Sequence, residues 1–252
     1  MRRSAVALVV LLAIGTLGTA GCTRVPLPRA QVTTQSEHTV VALKGAKSVD
    51  AQLVIGVGQL KVSAASTSSP AGGADLMTAD FVYAPASWKP QVAYAVGADG
   101  VGRLEVRQPE GSKVPVFQDT KNAWDLTLAP GVPMKLALAC GVGTNDIDLR
   151  GIDVRELSAT TGVGDSTIDL SGKRASDVAV DLHSGVGKLV VKVPRSMGVR
   201  VTGRQDGVGS FSADGFIAQG DTWVTQAYSG SGPKMEISIQ RGVGDIRLEL
   251  VD

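Results

Sequence analysis

Seven copies of the tripeptide Gly-Val-Gly punctuate this chain, beginning at Gly56, Gly100, Gly141, Gly162, Gly185, Gly207 and Gly242. Their starts lie 44, 41, 21, 23, 22 and 35 residues apart. The middle spacings define a unit of about 22 residues. The first two gaps are close to two units each, and the last is one unit plus an insertion. A fixed period of this size marks a stacked array, in which each unit buries its apolar face only against its neighbours.

The residues around each copy alternate in polarity. In "GVGKLVVKV" the apolar Leu189, Val191 and Val193 share one face, with Lys188 and Lys192 opposite. "GVGDIRLEL" repeats this with Ile246, Leu248 and Leu250, and "GVGDSTIDL" with Ile168 and Leu170. Period two over short runs means strand. The stretch before the motif alternates too, as in Val178, Val180, Leu182 and Ser184. Continuing that parity points the central valine inward and puts a one-residue slip at the second glycine, which is how a bulge or corner behaves. Glycine accepts positive φ and lets neighbouring backbones approach. The expected structural corners are therefore Gly56 and Gly58, Gly100 and Gly102, Gly141 and Gly143, Gly162 and Gly164, Gly185 and Gly187, Gly207 and Gly209, and Gly242 and Gly244. The expected fold is all-β: a single-stranded parallel β-solenoid, β-helix-like, with corner valines inside.

The rival reading of such a motif is a phosphate loop. Those loops join a strand to a helix. Here each copy precedes a strand, none extends to G-x-G-x-x-G, and no G-K-[ST] follows. Two aromatic-rich segments break the period. One holds Phe81, Tyr83, Trp88 and Tyr94, and the other Phe211, Phe216, Trp223 and Tyr228. They suit the covering of open ends, with a Trp- and Tyr-rich binding surface as the alternative.

The amino terminus reads as an address. "MRRS" is basic, "AVALVVLLAIGTLG" is apolar but short for a spanning helix, and "TAGC" sets small residues before Cys22. Residues 1–21 are expected to be a signal peptide of lipoprotein type. The small residues ending in Gly-Cys resemble the lipobox of bacterial lipoproteins, although Thr19 stands where leucine is usual. The resemblance implies lipid attachment at Cys22, with plain secretory cleavage near Ala20 as the alternative. Residues 22–37 then form a flexible, lipid-anchored tether, and 38–252 the folded domain. The protein is expected to be exported and held on a bacterial cell membrane or outer membrane without crossing it. Without the first 21 residues, 23 basic residues face 24 acidic ones, so nothing points to nucleic acid.

Little chemistry is on offer. Cys140 shares an apolar face with Leu136 and Leu138 and reads as a buried thiol. His183 falls on the opposite face, which excludes a Cys–His pair. No zinc motif occurs, and neither metal nor cofactor is expected. "GSG" at Gly230–Gly232 lacks a nucleophile elbow. What remains is a possible acidic surface cluster of Asp146, Asp148, Asp165 and Asp169 on adjacent rungs. It would serve an acid–base pair or Ca²⁺ if its members converged, or else form a solvated face.

Several segments carry a family resemblance: the aromatic stretch ending in "SWKP", the "RQP" after the second motif, "WDLTL", and the run of Gly-Val-Gly rungs. Across roughly residues 38–252 the chain resembles the bacterial toast-rack family. It is similar to the C-terminal domain of LiaF-type cell-wall-active-antibiotic response proteins, and more loosely to adhesin-like domains. The resemblance implies stacked rungs and a cell-envelope setting, and carries no catalytic residues. The chain lacks the multi-span helices of the LiaF-type layout. The expected function is non-enzymatic: a lipoprotein whose rigid β-solenoid is an interaction or adhesin-like module for an envelope protein or a cell-wall or surface polymer. Two alternatives stand beside it. One is a modulator of an envelope-stress response. The other is a polysaccharide-active enzyme using the aspartates, which would need a long outward groove that the short "RG" and "SGK" turns do not supply.

Overall fold

The computed structural model describes residues 33–65, 75–111, 120–204 and 207–252, all within one compact unit, Gln31–Asp252. The expected signal peptide, Cys22 and the tether as far as residue 32 lie outside the described residues. In chain order the strands are β1 (Gln35–Ala42), β2 (Ser48–Ala64), β3 (Asp75–Ala84), β4 (Gln91–Val96), β5 (Val101–Arg107), β6 (Lys121–Leu128), β7 (Met134–Asp148) and β8 (Val154–Val163). Then come β9 (Ser166–Asp169), β10 (Val178–Pro194), β11 (Gly198–Arg204), β12 (Phe211–Asp214), β13 (Ile217–Gln219), β14 (Thr222–Val224) and β15 (Lys234–Val251). The fold is all-β, and the only helical pieces among the described residues are two short 3-10 turns. Residues 35–37, assigned from sequence to the tether, are the first residues of β1.

The middle of the molecule is a parallel stack. β2, β7, β10 and β15 each run through a Gly-Val-Gly, and β8 with β9 makes the two halves of one further rung. Their order across the sheet is β2, β7, β8 with β9, β10, β15. Register sets motif on motif: Gly58 pairs with Gly143, Val142 with Val163, Val163 with Val186, and Val186 with Val243. An isolated parallel bridge adds Val208 beside Val243.

Each rung has one limb before its corner and one after, and both limbs feed one core. In β7 the first limb buries Leu136, Leu138 and Cys140, and the second buries Ile147, with Leu149 just beyond the strand. Each buried aliphatic of this size contributes about 1.5–3 kcal/mol. The return turns are tied between rungs. The Arg174 guanidinium, withdrawn from water, donates to the Leu149 carbonyl at 2.9 Å and to the Ile152 carbonyl of the preceding turn. Burial lowers its pKa, and Asp153 and Asp169 nearby oppose the shift.

Chain order and spatial order part company at both ends. β5 and β6 lie on one side of β2, and β7, which follows them, lies on the other. At the far end β15 sits between β10 and the earlier β11 and β12. Antiparallel strands close the stack: β1, β3 and β4 at one end, β13 and β14 at the other. Phe81 and Trp124 meet edge to face at 5.5 Å beneath the first closure. Phe211 and Trp223 approach to 4.3 Å at the second.

Two expectations need correction. Gly100 and Gly102 are not a corner of the stack. Gly100, at φ 75°, closes the β4–β5 turn, and β5 pairs with the first limb of β2, away from its motif. Five of the corner valines also point outward, while Val57 is half-buried against the core. Val142, Val163, Val186 and Val243 are each about half exposed, and Val208 is 70% exposed. The inside of the bend is taken by residues converging from the two limbs, such as Cys140 and Asn145, so the valine goes to the convex side. The slip in parity therefore falls at the first glycine.

Candidate binding surface

The corners show what the glycines are for. Gly58, Gly143, Gly164, Gly187, Gly209 and Gly244 have φ between 130° and 149°, where side chains with a Cβ are strained. Gly56, Gly141, Gly162, Gly185, Gly207 and Gly242 carry no positive φ, yet most are equally closed to a side chain. A Cβ on Gly162 would lie 3.0 Å from the Gly141 carbonyl carbon and closer still to its oxygen. The same holds up the stack for Gly141 on Gly56, Gly185 on Gly162, Gly242 on Gly185 and Gly207 on Gly242.

Where the ladder stops, side chains finish it. The Gln108 side-chain oxygen accepts from the backbone N–H groups of Gly56 and Val57, at 2.9 and 3.1 Å. Asn122 donates to the Val57 carbonyl at 2.7 Å and to Gln108 at 3.1 Å, and Trp124 Nε1 donates to the Asn122 oxygen at 2.8 Å. Gln108 and Asn122 are buried, so these bonds satisfy groups that would otherwise be costly to bury. At the other end Arg241 donates to the carbonyls of Gly207 and Gly209. Sequence reasoning missed these residues, although Gln108 stands in the "RQP" and Trp124 in the "WDLTL" that carry the resemblance.

The aspartates divide. Arg150 grips Asp148 with two bonds, of 2.6 and 2.9 Å, and reaches Asp169 at 3.6 Å. Its guanidinium holds the Asp148 carboxyl below the usual carboxylate range. Asp169 also accepts from the Ser171 backbone and hydroxyl. Asp165 accepts from the Lys188 N–H, while Asp146 lies beside Thr167 in the ladder. The four thus form an Arg-bridged pair and two separate groups. Among the described residues no three His, Cys, Asp or Glu side chains are placed to hold a metal ion. Cys140 is buried, and desolvation pushes its thiol up to about 12. His183 pairs with Asp181 at 3.2 Å, and His38 with Asp80 at 2.7 Å.

A concavity lies on the outer face of the first limbs. One groove of about 650 Å³ is lined from β4 (Ala93, Ala95) across to β8 (Glu156, Ser158). A second, of about 550 Å³, begins at the same Glu156 and Ser158 and runs to Thr222 of β14 and Gln219 of β13. The two grooves adjoin at these residues, and together they form a trough whose lining draws on ten neighbouring strands, roughly 43 Å at about 4.8 Å per strand. Side chains separated by several strands line a common groove, so the sheet is concave here. The end strands β4, β13 and β14 supply the walls that short rung turns could not.

Its lining includes the small side chains Ala137, Ser158, Ala179 and Ser238, with Gln52 beside them. Its cations are paired, and Arg103 meets Asp99 at 2.6 Å. Lys135 meets Glu156 at 3.0 Å and Arg200 meets Glu236 at 2.7 Å, and these carboxylates raise the pKa of both cations. Tyr228 donates to Glu236 at 2.7 Å and lies under Arg200, 5.2 Å from its ring centre. Such a surface offers both hydrogen-bonding groups and small apolar side chains along an open groove.

Residues 29–192 match the family described as the N-terminal domain of toast_rack, DUF2154. The chain belongs to the toast-rack family. Within the toast-rack match lie all strands from β1 to β9 and nearly all of β10. The chain is also similar to a solved structure of a putative cell adhesion protein from Clostridium sporogenes, at 30% identity and a TM-score of 0.77, covering 87% of this chain and 100% of that one. A putative adhesin from Bacteroides fragilis matches at 16% identity and a TM-score of 0.33, over 86% of this chain and 97% of the other. No curated protein matches the chain.

Proposed function

We propose that this toast-rack protein is a non-enzymatic, exported interaction module that lays an extended cell-surface polymer along its trough. The observation that carries the reading is the trough itself: two adjoining open grooves whose lining spans ten strands, with many small side chains and with its cations already paired to carboxylates. The similarity to a protein described as a cell adhesion protein supports the setting. The parallel stack is best read as the body of a β-solenoid, closed at its ends by antiparallel strands, and this rigidity suits a surface that must stay flat over its length. Cys22 is the proposed lipid attachment point, with the following residues as the tether. Among the described residues no helix is long and apolar enough to cross a membrane.

The test is co-sedimentation of the full chain with insoluble cell-wall and capsular material. Ser158→Trp and Ala137→Trp fill the trough from exposed positions and should leave melting unchanged while cutting retention at least tenfold. Retention equal to wild type in both variants would remove the trough from the reading. Release of new reducing ends from the polymer by wild type would overturn the non-enzymatic assignment. For the anchor, Cys22→Ser should move the protein from the membrane fraction to the soluble fraction, and an unchanged distribution would refute lipidation there.

A further inference from the structure

The outward corner valines form a feature that the trough does not use. In spatial order the exposed Val142, Val163, Val186, Val243 and Val208 make a row across five rungs, roughly 19 Å long at about 4.8 Å per rung, while Val57 at the end of the row is half-buried against the core. The glycines beside them lack side chains, so the valines stand proud as an apolar ridge. The glycines are dictated by the backbone of the neighbouring rung. The valines, facing solvent, are not, yet each of these five rungs carries one.

We propose that this ridge is a self-association surface, and that its occupant is the ridge of a second copy in antiparallel sense. Two arguments select a second copy. The first is pitch. A row of identical β-branched side chains at strand spacing stays in register along its length only with a row of the same spacing, as in dry packing between stacked strands. The second is charge. The exposed row two residues past the valines reads Thr144, Asp165, Lys188 and Asp245. A two-fold axis crossing the ridge between Val163 and Val186 sets Val163 opposite Val186 and Val142 opposite Val243 of the second copy. It also sets Asp165 opposite Lys188 twice, by symmetry, and Asp245 opposite Thr144. Moving the axis onto Val186 puts Lys188 against Lys188 and Asp165 against Asp245. Moving it onto Val163 puts Asp165 against Asp165. The charges therefore favour the first register and oppose its neighbours. A patch of this kind is isologous, and it closes as a dimer.

The ridge is narrower than a standard interface, so the dissociation constant is expected on the order of 0.1 mM. Sedimentation equilibrium of the full chain carrying Cys22→Ser should show a monomer–dimer equilibrium. Val163→Lys should weaken it at least tenfold with an unchanged melting temperature. Asp165→Lys should weaken it, and Asp165→Lys with Lys188→Asp should restore it. In a mixture of Val163→Cys and Val186→Cys chains, oxidation should form the mixed disulfide ahead of either homodimer. A chain that stays monomeric roughly tenfold above that concentration overturns the proposal. So does a dimer indifferent to Val163→Lys, a charge swap that fails to restore it, or crosslinks that form equally in all pairings.

Discussion

The stack is held by backbone-to-backbone closeness at its corners, and three glycine-to-alanine changes separate the contributions. Gly45 sits at φ 71° with open space around it, so Gly45→Ala reads backbone strain alone. That strain is about 1–2 kcal/mol. Gly162 has no positive φ, but a Cβ there would press into the Gly141 peptide, which belongs to the neighbouring rung and cannot swing away. Gly162→Ala reads this overpacking alone, at about 1–3 kcal/mol. Gly164 combines both, with φ 130° and a Cβ that would lie 2.9 Å from the Gly143 carbonyl carbon and nearer its oxygen. Gly164→Ala should therefore cost about 3–5 kcal/mol, and Gly164→Val no less. In a domain of this size each kcal/mol moves the melting temperature by about 2–4 °C. Melting followed by circular dichroism should thus rank Gly45→Ala mildest and Gly164→Ala most severe. A Gly162→Ala variant that melts with wild type would refute the idea that rung spacing forbids a side chain at the first glycine.

Gln108→Ala and Asn122→Ala should each destabilise by about 1–3 kcal/mol, because each frees the part-buried Gly56–Val57 corner and breaks the buried Trp124–Asn122–Gln108 chain of bonds; equal chemical denaturation midpoints would contradict this. The Cys140 thiol, pushed up to about 12 by burial, should resist alkylation at pH 8 in the folded protein and react only in denaturant, as mass spectrometry would show. Asp148 is held below the ordinary carboxylate value by Arg150, so its stabilising contribution is complete above about pH 4 and is lost as pH falls through the lowered folded value. Asp148→Asn should accordingly flatten the acid limb of the melting temperature below about pH 4, and an unchanged limb would show the pair to be inert.

Much of the inside was legible because alternation reports burial one residue at a time. Leu189, Val191 and Val193, or Ile246 and Leu248, face the core as their parity requires. The glycines were legible because no other residue tolerates such proximity. The valines were misread because parity was carried through a bend whose own geometry resets it, and nothing in the tripeptide says on which side of the first glycine that happens. Gly100 was misread because a tight turn and a rung corner draw on the same three residues. The trough could not be read at all. It depends on β4 and β13 lying at opposite edges of one face, and that follows from rung order rather than from any local pattern. The caps at Gln108 and Asn122 were hidden for the same reason, since their bonds span 52 and 65 residues.

The displaced order of the rungs sets how this architecture can grow. Only the stretch from β7 through β10 is laid down rung after rung, each touching the one made before it. Here a further unit of about 22 residues could be inserted or deleted with its neighbours closing over the gap. At either end such an edit has no room. β2 is enclosed on both sides by strands made after it, and β15 must enter between two strands already formed. A nascent chain cut short before Lys234 would leave the β15-facing edges of β10 and β11 with unpaired backbone N–H and C=O groups. The eighteen residues of β15 act as a keystone. The length of the fold is adjustable at its centre, and its closure waits on β15, which is made after every strand it joins.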